Sequence, residues 1–270
     1  MANKLARSVD TLLMRHLGAG YALITRDWMI NERMRFLADW IGHETGLMSV
    51  LDVGCGSGLA LPYLDWYQPD KITSYLGLDL DTERLRTRYE FVDIPHSFKD
   101  VDLDSSWQFG LFDVVFCSEV LEHLSADSRL FSRLCRHLSE NGTLLVTTPH
   151  KEFVRRNAAD FPGFDAIRPT QDGGHVRMGY SPSELEEMAY ANGLAVAGKV
   201  WLGEMNRAEL SGRETKRKQG DYQNMIRYNL HWIRRMNRSK PREPDRCWTL
   251  AMAFKRPAAR KSVQISLARG

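Results

Sequence analysis

Residues 50–58, Val50-Leu51-Asp52-Val53-Gly54-Cys55-Gly56-Ser57-Gly58, run an apolar strand straight into three glycines at alternate positions. Glycine is needed where backbone bends sharply or lies against a bound molecule with no Cβ in the way, and the helix that should follow presents unpaired N–H groups. The segment reads as a ligand loop. Its spacing is G-x-G-x-G with Asp52 two residues ahead, not the G-x-G-x-x-G of a dinucleotide fingerprint. A second stretch, Ser118-Glu119-Val120-Leu121-Glu122-His123, gathers acids and an imidazole. On a helix Glu119, Glu122 and His123 fall at i, i+3 and i+4 and converge on one face. With His175 of Gly173-Gly174-His175 they make a candidate divalent-metal set, for an ion such as Mg. Without a metal, His123 or His175 is the general-base candidate, because imidazole titrates near neutral pH, and Glu119 lines the pocket.

These groups need a scaffold, and the apolar runs supply one. Residues 74–79 form a second apolar run ending in Asp79, 27 residues after Asp52, the interval at which a strand–helix–strand unit delivers its second strand end. A third strand is expected over 98–103. Runs at 112–117 and 142–149 are near-continuously apolar and read as buried strands, with further strands at 195–201 and 247–254. Ahead of the first strand, Leu5, Val9, Leu12, Leu13, His16 and Leu17 fall at helical spacing, and a second helix is expected over 27–43. Together they form a helical cap, 1–46, on a core of 47–203.

The 270 residues, 43% hydrophobic and 26% charged, fit one globular enzyme domain with a large core. Cys55, Cys117, Cys135 and Cys247 show no C-x-x-C spacing, which argues against a disulfide framework or a zinc-thiolate site and for a reducing compartment. No apolar run reaches bilayer-spanning length, and Arg15 and His16 interrupt what a signal peptide would keep apolar. A cytoplasmic location is the expectation.

Asp-x-Gly-x-Gly-x-Gly resembles motif I of the class I S-adenosylmethionine (SAM) dependent methyltransferases, and the order of the strands resembles that family over about residues 30–200. The resemblance implies an α/β Rossmann-like class I methyltransferase fold: a mostly parallel seven-stranded sheet with helices on both faces. It implies a SAM site in which Gly54, Cys55, Gly56 and Gly58 lie under the methionine part and Asp52 helps hold the ammonium group. Asp79, with Leu80 beside it, takes the ribose hydroxyls, Asp102 and Leu103 lie near the adenine, and Ser118 borders the cofactor. Asp93 and Asp104 compete for the adenine role. Ile30-Asn31-Glu32-Arg33 resembles the I-N-x-x-R segment of the ubiquinone-biosynthesis O-methyltransferases, in which the arginine faces the SAM carboxylate; Arg33 has the planar fork for it. E-x-x-E-H with a distant histidine also resembles the metal-using members of that group and the small-RNA 3′-terminal 2′-O-methyltransferases.

Charge is segregated. Residues 1–203 carry 20 Lys and Arg against 28 Asp and Glu, whereas 204–270 carry 17 against 6. The basic part is an insert, 204–246, ahead of a last strand at 247–256 and a tail at 257–270. Its Arg213, Lys216, Arg217, Arg234, Arg235 and Lys240 are interleaved with Tyr222, Tyr228 and Trp232. It reads as a solvated face, as a platform for an anionic small-molecule or glycan-type acceptor, or, third, as a nucleic-acid surface. Phe153, Phe161 and Phe164 close over an acceptor or cover the sheet edge, and Arg177 and Tyr180 are placed to meet substrate. The favoured activity is SAM-dependent O-methylation of such an acceptor; RNA methylation and a non-catalytic SAM-binding scaffold are the alternatives.

Overall fold

The computed structural model describes residues 28–157, 174–204 and 242–257. The first expected helix, most of the basic insert, the tail from 258, and Phe161 and Phe164 lie outside the described residues.

Helix α1 (Trp28–His43) buries Met34, Leu37, Ala38 and Ile41, spaced at i, i+3, i+4 and i+7, while Arg35 and Asp39 pair on its exposed side at 3.4 Å. It leads into β1 (Met48–Val53), α2 (Ala60–Tyr67), β2 (Ile72–Asp79), α3 (Glu83–Arg88), β3 (His96–Asp100) and β4 (Phe112–Ser118). Then follow α4 (Asp127–Arg136), β5 (Leu138–Pro149), α5 (Lys151–Arg156), α6 (Pro182–Ala191), β6 (Ala195–Glu204) and β7 (Cys247–Lys255).

The seven strands form one sheet in the order β3-β2-β1-β4-β5-β7-β6, parallel except for β7, which runs antiparallel to both its neighbours. Helices cover both faces. α1 and α2 lie over Val50, Val114, Phe116 and Leu145, and α4 and α6 over Leu51, Val115, Leu144 and Val146. Strands buried on two sides must be apolar at successive positions, which is why β1, β4 and β5 read as unbroken runs. The strand order reverses between β1 and β4, and the crevice at their carboxyl ends is where an open α/β sheet takes ligands.

Strand β3 ends earlier than its apolar pattern implies. It is an edge strand with Phe98 as its buried side chain, and its pairing stops at Asp79↔Asp100. Beyond it the Asp102 carboxylate accepts the Asp104 N–H at 2.9 Å, so Asp102 and Leu103 belong to a turn. At α6 the Ser181-Pro182-Ser183-Glu184 start forms a full capping box.

Candidate active site

The glycine loop leaves β1 with φ of 76° at Gly54, 55° at Gly56 and 71° at Gly58, a region closed to ordinary side chains. The Gly54 and Cys55 N–H groups donate to the Leu78 carbonyl at 2.8 and 2.9 Å, tying the loop to β2. A Cβ on Gly54 would lie 2.3 Å from Val120 Cγ2, and one on Gly58 2.8 Å from the Tyr89 ring. Gly56 differs: a Cβ there would meet nothing within 4 Å. Two glycines seat the loop on its underside, and the middle one leaves an open backbone surface for a ligand.

Asp79 stands at the end of β2 beside this surface. One carboxylate oxygen accepts the Gly56 N–H at 2.7 Å and the other the Leu80 N–H at 2.8 Å, which fixes its plane and leaves lone pairs for hydroxyl donors. Asp52, expected at the cofactor ammonium, lies beneath the loop instead. It is 3% exposed and accepts the Tyr75 hydroxyl at 2.5 Å. Burial pushes its carboxyl up to about 7, with the Asp79 charge adding to the rise and the Tyr75 hydrogen bond opposing it.

Across the switch point, β4 does not run into a helix. Glu119 has a φ of 56°, the one positive value at a non-glycine among the described residues, and Leu121–His123 is a single 3-10 turn. The expected helical face is therefore absent, and Glu119 parts from Glu122 and His123. Its carboxylate meets Arg33 of α1 at 2.9 Å and accepts the Thr147 hydroxyl of β5 at 3.2 Å. The Ser118 hydroxyl continues this chain to Thr147 at 2.8 Å.

The remaining three of the four expected metal ligands do come together. Ligand atoms of Glu122, His123 and His175 lie within 4.8 Å of one another, and the two imidazole rings meet edge-on at 4.5 Å. The Val176 N–H donates to the Glu122 carbonyl at 2.9 Å and so holds the His175 segment against the turn. Glu122 is fully buried; one carboxylate oxygen accepts from Thr148 at 3.4 Å and the other has no partner, nor has His123 Nδ1. Burial, reinforced by the Glu119 charge, raises the Glu122 carboxyl well above the usual range. Burial and the neighbouring His123 lower the His175 imidazole to about 4.

One expectation is corrected, and one of two alternatives is selected. Arg177 and Tyr180 both bond the Asp127 carboxylate, at 2.5 and 2.6 Å, so they fasten the chain under His175. Phe153 is buried edge-on against Trp248 and belongs to the sheet cover. The sequence reading also passed over Thr147 and Thr148, whose signal was a polar pair closing an otherwise apolar buried strand. It passed over Glu32 too, which is 5% exposed and accepts the Gly203 N–H at 2.5 Å and Arg242 at 2.6 Å, clasping α1 to β6 and to the segment that leads into β7. A groove of about 670 Å³ between α1 and β6, lined by Phe36, Trp40 and Lys199, holds no loop or β4-turn residue. No helix among the described residues is long and apolar enough to cross a membrane.

Comparison with known proteins agrees with this geometry. The chain is 27% identical over 158 residues to the mitochondrial ubiquinone biosynthesis O-methyltransferase of Saccharomyces cerevisiae, covering 54% of this chain and 47% of that one. It is 28% identical over 142 residues to the Rickettsia conorii ubiquinone biosynthesis O-methyltransferase, covering 50% and 48%. The chain thus spans about half the length of these relatives. Among solved structures, magnesium protoporphyrin IX methyltransferase from Synechocystis PCC 6803 with bound SAH (S-adenosylhomocysteine) shares the fold, with a TM-score of 0.51, 16% identity and coverage of 85% of this chain and 84% of that one. Residues 26–198 match the family described as a methyltransferase domain, so the chain belongs to the methyltransferase domain family, in its class I SAM-dependent form.

Proposed function

We propose that this chain methylates an oxygen of a small-molecule or glycan-type acceptor, anionic ones included, at the crevice between β1 and β4. The observation that carries the reading is the open backbone at Gly56 beside Asp79 at the β1/β4 switch point, with the paired rings of His123 and His175 beyond the end of β4. Gly54, Cys55, Gly56 and Gly58 would underlie the cofactor's methionine part, Asp79 and Leu80 its ribose, Asp102 and Leu103 its adenine, and Ser118 and Arg33 its amino-acid end. When bound, SAM supplies a methyl group already activated by the sulfonium charge. The chain's own task is alignment and proton removal. His123 or His175, whose rings meet edge-on at 4.5 Å beyond the end of β4, would take the acceptor's hydroxyl proton on a ring nitrogen. Oxygen is preferred because the relatives bear O-methyltransferase names.

A second reading is supported by the Glu122, His123 and His175 cluster with its unpartnered buried oxygen. These residues fit a divalent cation, and one carboxylate with two imidazoles suits Mn, Fe or Zn at least as well as Mg. A cation there would hold acceptor oxygens and lower their pKa. The test is transfer of labelled methyl from SAM into cell extract, with and without ribonuclease and chelator. Label in a ribonuclease-resistant, low-mass product supports the proposal. Ribonuclease-sensitive label means RNA, SAH binding with no transfer means a scaffold, and indifference to chelator removes the metal.

A further inference from the structure

We infer that residues 5–17 of this chain dock in the groove between α1 and β6, bracing that side of the sheet instead of lying across the crevice. The inference is independent of the methyl-donor reading and concerns a surface that the crevice does not use. Three observations support it.

The first is the groove itself. Phe36 and Trp40 of α1 form one wall, Val200 and Leu202 of β6 the other, and the space between them is about 670 Å³. Phe36 and Trp40 are only partly buried against the core, and Val200 is 42% exposed. At Gly198 an added Cβ would lie 2.8 Å from the Trp40 ring, so helix and strand meet there and close the floor. The second is charge. On the rim Arg35 meets Asp39 at 3.4 Å, Lys255 meets Glu44 at 2.6 Å, Arg242 meets Glu32 at 2.6 Å and Lys199 reaches Glu186 at 3.6 Å. With these ions paired inside the fold, what the groove offers is an apolar floor, and it suits an apolar surface better than an ionic ligand.

The third is the chain that leads into α1. Leu5, Val9, Leu12, Leu13 and Leu17 share one helical stripe, and such a stripe needs another element to bury it. α1 begins at Trp28, and Glu32, one turn in, already lines the groove. Residues 18–27 reach up to about 33 Å when extended, whereas the 16 residues of α1 span about 24 Å, so the stripe can lie anywhere along the groove. A second copy paired edge to edge fits less well. The β6 pairing is irregular between Val196 and Gly198, and Lys199 is exposed there; a bulge and a lysine both blunt an edge strand. A segment docked here would press on the helix that carries Arg33 to Glu119 and Glu32 to Gly203.

The test is photo-crosslinking in the full chain, with benzoylphenylalanine in place of Val200 in the groove or of Leu80, which is 71% exposed at the crevice rim. Mass spectrometry of the digested monomer should find residues 5–17 joined to position 200 and not to position 80. A thermal double-mutant cycle supplies the second arm. Leu13→Asp and Val200→Asp should each lower the melting temperature by about 4 °C, and together by no more than either alone, because both break one contact. Arg7→Gln, opposite the stripe, should leave both the adduct and the melting temperature unchanged. Residues 5–17 joined to position 80 would put the segment over the crevice, and dimers linked through position 200 would make a second copy the occupant. Either result overturns the proposal, as does a position-200 probe that joins no part of 5–17 or a cycle in which the two losses simply add.

Discussion

The two walls of the β1/β4 crevice carry their strain on different residues. On the loop wall every positive φ falls on a glycine, where it is sterically free, and the Asp79 carboxylate is satisfied by two backbone N–H groups. On the β4 wall the positive φ falls on a glutamate, and the Glu122 oxygen and His123 Nδ1 are buried without partners. Buried orphan groups are costly and mark places completed by something else. The polar groups of the loop wall are satisfied within the fold, whereas the β4 wall buries two polar atoms that have no partner among the described residues. Stability and function should therefore separate: a side chain at the seated glycine Gly54 should unfold the protein, whereas substitutions on the β4 wall should disable it.

The largest effect on stability is expected for Gly54→Ala, which combines left-handed strain with a Cβ 2.3 Å from Val120 Cγ2. It should cost about 3 kcal/mol or more in urea denaturation, and parent-like unfolding would show that the loop is not seated as described. Asp52→Asn should act in the opposite direction and depend on pH. The Asp52 carboxyl, raised from 3.8 to about 7, favours the fold fully below pH 3.8 and loses that contribution as pH climbs through 7. The asparagine variant has nothing to lose, so its advantage, near zero at pH 4, should grow to on the order of 3 kcal/mol at pH 8. A flat difference across this range would mean the acid is not buried.

Smaller stability changes should follow at the exposed loop glycine and on the other wall. Gly56→Ala meets no neighbour and should cost about 1 kcal/mol, yet weaken SAH binding, since its Cβ would occupy the ligand surface. Glu122→Gln should shift unfolding by less than about 1 kcal/mol, because burial already favours the neutral acid. Methyl transfer should nonetheless fall by about tenfold or more, measured with labelled SAM. A variant that melts well below the parent and keeps its activity would erase the contrast between the walls.

The loop wall was legible because its information is local. Strand, glycines and the carboxylate at the end of the next strand are written within residues 50–79, and sheet order follows from apolar runs and connection rules. The β4 wall was only partly legible. Spacing alone put Glu119, Glu122 and His123 on one helical face, but the β4–β5 ladder continues to the Glu119 N–H and Val120 is taken up by Gly54, so the chain turns left-handed before it can coil. The burial of Asp52 and its bond to Tyr75 are likewise not announced by residue type. The Glu32–Arg242 clasp joins residues far apart in the chain, and no local pattern announces it.

One feature of the sheet bears on how such a protein diversifies. Because β7 runs against its neighbours, β6 ends and β7 begins at the same rim as the glycine loop and Glu119. Glu204 and Arg242, the described residues on either side of 205–241, therefore stand toward that rim. A graft between Glu204 and Arg242 would sever no ladder, so the rim can accept a different connection, provided each replacement retains Arg242 as its latch onto Glu32.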